Sequence, residues 1–203
     1  MDSDGSRRFH SFGFEPNYTV EVDPPFPSDG IWDCPIVEFD ANGVAHPRTA
    51  LDARGSLIVR VEPSVRQTWL GVFANGGLGR VDETFAGPAP EQLCVVAEGT
   101  AYLVNVDSPI TDPAIVQDQV QHVAADAEHH LLLLANDVDL VAVGASGLAW
   151  RSPRLALDGL SISGADSEGI HCYAWLGDHD GATHLVTLDP RTGQIMAGPV
   201  LPD

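Results

Sequence analysis

Apolar residues in this chain recur with the period of a strand far more often than with that of a helix. The runs "SLIVRVEPSV" (56–65), "TWLGVFANG" (68–76), "QLCVVAEGTAYLVNVDSP" (92–109), "HLLLLANDVDLVAVGASGLAWRS" (130–152) and "THLVTLDPRTGQIMAG" (183–198) are rich in Val and Leu. Each is bounded by Gly, Pro, Asn or Asp, so each reads as strands broken by turns. Stretches of five to eight residues at a spacing near ten predict an all-β, antiparallel protein with little helix. Strand should exceed helix at least about threefold. The 20 Gly and 15 Pro serve the turns. Only "DPAIVQDQVQHVAADAEHH" could place Ile115, Val116, Val120 and Val123 on one helical face, and its β-branched content favours strand.

A chain of 203 residues, 44% hydrophobic, can bury one good core. We expect a single β-rich domain over 1–203, with residues 1–30 as an irregular N-terminal segment. No stretch approaches the roughly 20 apolar residues of a membrane-spanning helix, since "HLLLLA" runs at once into Asn136, Asp137 and Asp139. The N-terminus has two arginines with no apolar run behind them, unlike a secretory signal, which points to a cytoplasmic protein that does not engage a membrane. Cys34, Cys94 and Cys172 are scattered and lack C-x-x-C spacing, so buried reduced thiols are expected.

The charge is one-sided. All ten basic residues are Arg, there is no Lys, and 29 acidic residues bring the net charge to −19. Without Lys there is neither a Walker A phosphate loop nor a pyridoxal Schiff base. Few cations are available to contact a nucleic-acid backbone, so that class of partner is excluded. Residues 81–150 hold eleven carboxylates and no Arg. Such a stretch suits either an acidic face for a basic partner or plain solubility.

The run at 140–152 reads as a hairpin with its turn at Ala145-Ser146-Gly147, placing Leu148 and Trp150 on one face and Ala149 and Arg151 on the other. In "VTLDPRTGQIMAG", Asp189 opens a turn, Pro190 presets φ and Gly193 supplies a positive φ. "LVAVGASGLAWRS" and "HLVTLDPRTGQIMAG" resemble strand pairs of β-propeller blades of the quinoprotein-like sort, whose last pair turns through Asp-x-x-Thr-Gly. Residues 130–198 also resemble small, uncharacterised β-rich bacterial proteins. The resemblance implies a propeller-like stack of sheets. The blade signatures are incomplete, so it implies no quinone and no other cofactor. The internal echo of "AYLVNVDSP" in "THLVTLDPR" separates Asp107 from Asp189 by about two blades, and no clear 40-residue repeat is visible. A twisted sandwich of two antiparallel sheets fits as well as an open stack.

The densest set of potential ligands is "GIHCYAWLGDHDGATH", where His171, Asp178, His179 and His184 could supply two imidazoles and a carboxylate to zinc or iron. The same Asp and Gly residues are ordinary turn formers. As a calcium loop the stretch fails, since Leu176 and Thr187 stand where Asp and Glu are required. "GLSIS" misses G-x-S-x-G, and Cys172 and His171, adjacent in a strand, diverge. What remains is Trp150, Arg151, Arg154 and Asp158, where two guanidiniums beside a carboxylate could recognise an anion, or an Arg–Asp pair could close the loop that Pro153 stiffens. The sequence points to a non-enzymatic interaction protein of the accessory or immunity type found in bacteria, its partner another protein with a basic surface. The second reading is a metal-dependent enzyme centred on His171–His184.

Overall fold

The computed structural model describes residues 8–50, 56–110 and 114–201, and all its regular structure is β. A two-residue strand, β1 (Phe9–His10), is followed by β2 (Tyr18–Val22), β3 (Ile36–Phe39), β4 (Ala45–Arg48), β5 (Ser56–Pro63) and β6 (Trp69–Ala74). The last five form sheet 1 in the order β2-β5-β6-β3-β4, with β3 parallel to β6. Sheet 2 consists of β7 (Glu83–Ala86), β8 (Gln92–Ala97), β9 (Thr100–Asn105) and β10 (Ala114–Gln117), with β1 added parallel to β7. Sheet 3 is β11 (His122–Asp126), β12 (Leu131–Ala135), β13 (Leu140–Gly144) and β14 (Gly147–Arg151). Sheet 4 is β15 (Asp158–Asp166), β16 (Gly169–Trp175), β17 (Thr183–Leu188) and β18 (Ile195–Ala197).

Three cores fix the order of the sheets. Leu93, Val95 and Ala97 of β8 pack with Val37, Leu57, Val59 and Phe73 of sheet 1. Cys94 and Val96, the alternate residues of the same strand, pack with Leu132, Leu134 and Val143 of sheet 3. The other side chains of β12, Leu131, Leu133 and Ala135, meet Ile170, Cys172, Ala174 and Val186 of sheet 4. The chain is therefore an open stack of four sheets, 1-2-3-4, none closed into a barrel.

Position in the stack explains the sequence pattern. A strand with both faces covered is apolar except where a polar side chain is hydrogen-bonded, and β8 and β12 are buried at every residue, Gln92 of β8 being the one polar member. β16 belongs to an end sheet and alternates instead: Ile170, Cys172 and Ala174 point inward, His171, Tyr173 and Trp175 outward. At the other end, Trp32 and Cys34 fold over Ile36, Leu70 and Val72 on the outer face of sheet 1. Each fully buried Leu of β12 contributes about 1.5–3 kcal/mol relative to an exposed one.

The segment 114–126 is extended, as its β-branched residues favour, and its two strands are separated at Gln119, where φ is +57°. Within residues 8–30, where an irregular segment is expected, β1 and β2 are regular strands. β2 is half-alternating, with Tyr18 donating its hydroxyl to Gln92 O at 2.5 Å. Cys94 and Cys172 are fully buried, and burial pushes both thiols up to about 12. Cys34 is only partly covered; burial, the largest influence, raises its thiol as well. A thiol reagent added to the folded protein should thus modify Cys34 and reach the other two only on unfolding. Mass spectrometry of the native adduct checks this, and rapid labelling at Cys94 or Cys172 would contradict it.

Candidate functional site

The hairpin β13–β14 turns through Ala145 and Ser146, with Gly144 opposite Gly147 and Gly147 at φ +104°. Leu148 and Trp150 do not share a face, contrary to the simple alternation. A bulge at Ala149 places Leu148 opposite Val143, on the side of sheet 2, and Trp150 opposite Ala142, on the side of sheet 4. Trp150 donates its indole N–H to Pro190 O at 2.8 Å. Its ring covers Gly193, where an added Cβ would stand 2.4 Å from Trp150 Cε3. Gly193 sits at φ +69° in a turn that Asp189 builds by accepting from the backbone N–H of Arg191 and the Thr192 hydroxyl. Trp150 thus ties sheet 3 to the β17–β18 turn of sheet 4.

Arg151 makes the corresponding tie to sheet 2. Its Nη1 donates to Gln117 Oε1 at 2.8 Å and to both oxygens of Asp139 at 3.0 Å, and its Nη2 donates to Val116 O at 3.0 Å. Gln117, itself buried, donates to Asp139 Oδ1 at 2.6 Å. The Arg–Asp pair of this loop is therefore Arg151–Asp139, and Asp158 stands exposed at the start of β15. Arg154 donates to Ala156 O and Leu157 O, each at 3.0 Å, holding the 153–158 connection. These donors already have acceptors within the chain.

The histidine-rich stretch is divided by the pleat of sheet 4. His171 faces outward, its Nε2 3.0 Å from Asp166 Oδ1 and its Nδ1 3.2 Å from Thr187 Oγ1. That contact with His171, the largest influence, holds the Asp166 carboxyl below the usual carboxylate range. His184 is opposite Ala174, on the inward-facing side of the sheet, and pairs with Asp178 at the other end of β16. His179 is exposed in the intervening loop. Among the described residues, no group of three or more His, Cys, Asp or Glu is placed to hold a metal ion.

The carboxylates of 81–150 do not form one face, because an antiparallel meander sends alternate turns to opposite rims of the stack. β8 runs out to Glu98, and β10 runs out to Asp118 beside it, where Val120 N donates to Gly99 O at 2.8 Å. Gln121 reaches Asp137 at 3.2 Å, and Leu160 N donates to Asp137 O, which brings the start of β15 to the same rim. Asp82, Glu83, Glu98, Asp118, Asp137 and Asp139 lie here, and sheet 4 extends the row with Asp158, Asp178 and Asp180. Glu91, Asp107, Asp126 and Glu128 lie on the opposite rim, which sheet 4 extends with Asp166, Glu168 and Asp189, and Asp112 falls outside the described residues. Some members have structural work. Asp82 accepts from Glu98 N at 3.2 Å, and the buried Asp126 caps its own turn through His129. Asp118 and Asp158 are exposed, and Glu98 is half-buried with φ +42°. Among the described residues of this rim, Arg80 is exposed while Arg151 and Arg154 are committed to internal acceptors.

Sequence reasoning found the hairpin but not the partners of its side chains: Gln117 at the end of β10, Asp139 in the turn before β13, and Pro190 and Gly193 in the β17–β18 turn. No protein-family model matches the chain, and no curated protein matches it.

Proposed function

We propose that the protein acts by binding rather than by chemistry, and that the rim running from Glu98 and Asp118 to Asp158 and Asp180 receives a basic surface of another protein. The observation that carries this reading is the row of nine carboxylates, among the described residues, that sheets 2, 3 and 4 deliver to one rim, in a chain of net charge −19. A rim of one sign raises the local concentration of an oppositely charged partner and speeds encounter. The guanidinium of Arg151 neutralises Asp139 and that of Arg154 donates to backbone carbonyls, so neither is paired with the exposed carboxylates Asp118, Asp158 and Asp180. Association should be fast at low salt and slow as ionic strength rises, because at about 0.15 M the Debye length is already about 8 Å. Stopped-flow or surface-based kinetics with an oligolysine peptide as probe measures this. A rate independent of salt would overturn the reading.

A further inference from the structure

We propose that the cleft between sheet 2 and the β13–β14 turn, on the rim opposite the one just described, binds an aliphatic ammonium group. The cleft has a volume of about 470 Å³, within the range of small-molecule sites. Leu103, Val116 and Leu148 form an apolar wall, and Glu91, Asn105 and Ser146 supply the polar positions. The bulge at Ala149 is what turns Leu148 toward this cleft, where it remains 53% exposed.

The floor is rigid and already satisfied. Gln92, buried, donates through Nε2 to Gly144 O at 3.2 Å and Ala145 O at 3.0 Å, and accepts from Ala89 N at 3.1 Å. It therefore fixes the distance between β8 and the hairpin turn and leaves no donor for an anion. Asn105 holds the next turn by accepting from Asp107 N at 2.9 Å. The Glu91 carboxylate is in neither a side-chain hydrogen bond nor an ion pair among the described residues, and no Arg lines the cleft. An anionic ligand would meet Glu91 and the chain's net negative charge unopposed. A neutral apolar one would leave the carboxylate desolvated without a partner, at a cost. An ammonium on a short alkyl stem satisfies both halves: the stem lies on Leu103, Val116 and Leu148 while the head donates to Glu91 and to the oxygens of Asn105 and Ser146. The same chemistry is offered by a free amine and by a lysine side chain.

The inference is independent of the carboxylate rim, and its test keeps the two apart. Amide chemical shifts of the full chain would be followed during titration with n-butylamine, n-butanol, butyrate and Nα-acetyl-lysine methylamide at about 0.15 M salt. Butylamine should shift the amides of Glu91, Ser146 and Leu148 saturably in the millimolar range, butanol more weakly and butyrate not at all. Tighter binding of the lysine derivative would assign the site to a lysine of a partner protein, and tighter binding of butylamine to a free amine. Glu91→Gln, nearly isosteric, should weaken butylamine about tenfold, and Leu148→Asn should weaken it through the wall alone. Reversal of Glu98, Asp118 and Asp158 should leave it unchanged. The proposal is overturned by equal binding of butanol and butylamine, by undiminished binding to Glu91→Gln, or by the absence of saturable shifts.

Discussion

Alanine at position 99 should lower the stability of the protein by about 3 kcal/mol or more, a large share of the roughly 5–15 kcal/mol that holds a domain folded. Gly99 is at φ +89°, and a Cβ there would stand 2.4 Å from Gly79 Cα and 2.6 Å from Gly79 N. Both obstacles are backbone, so no rotamer change removes them. The backbone around Gly99 is also fixed, since its N–H donates to Val81 O and its carbonyl accepts from Val120 N, each at 2.8 Å. The substitution must therefore part the 76–81 segment from the end of sheet 2. Gly30→Ala is the control for φ alone: Gly30 is at +73° with nothing within 4 Å of the added Cβ, and its loss should be about 1–2 kcal/mol. Urea unfolding of both variants checks the difference, and equal midpoints would show that the close approach is not as described.

Trp150→Ala should cost about 3 kcal/mol through lost burial and the lost indole bond to Pro190 O, and Gly193→Ala should cost at least about 2 kcal/mol. The two should not add. With the ring removed, a Cβ at position 193 no longer collides with it, so in the Trp150→Ala background Gly193→Ala retains only the penalty of φ +69°, about 1–2 kcal/mol. A double-mutant cycle read from denaturation midpoints would reveal the coupling. Strict additivity would mean that Trp150 does not brace the β17–β18 turn, and would return it to the list of surface recognition residues.

The sequence carried the strands and even the depth of each in the stack, because burial on two faces and on one face leave different patterns: "LLLLA" in β12 against "GIHCYAW" in β16. It concealed the number of sheets. The second strands of sheets 2, 3 and 4 begin at 92, 131 and 169, a repeat of 38 or 39 residues. The echo between β9 and β17 spans two of these repeats, and the equivalent strand of sheet 3, β13, ends in a two-residue Ala145-Ser146 turn where the others reach Asp107 and Asp189. Turn chemistry diverged while strand packing persisted. The side of Leu148 was illegible for a related reason, since one extra residue at Ala149 reverses the alternation without changing composition. Arg151 stood out as a rare cation, but its partners Gln117 and Asp139 are set by the meeting of β10 with β13 and β14, a long-range fact. The acidic run 81–150 misled in the opposite sense: neighbours in sequence such as Glu91 and Glu98 are delivered to opposite rims by a single strand.

That division supplies the most direct test of the binding account. Reversing Glu98, Asp118 and Asp158 to Lys changes the net charge by the same amount as reversing Glu15, Glu128 and Glu168, exposed residues at the opposite end of the strands. Association of an oligolysine peptide, measured at one fixed low salt concentration with both triple variants shown to be folded, separates a docking rim from total charge. The account predicts that the first variant binds at least about tenfold more slowly than the second. Equal slowing of the two would contradict it, and would make the acidity of this chain a property of its whole surface.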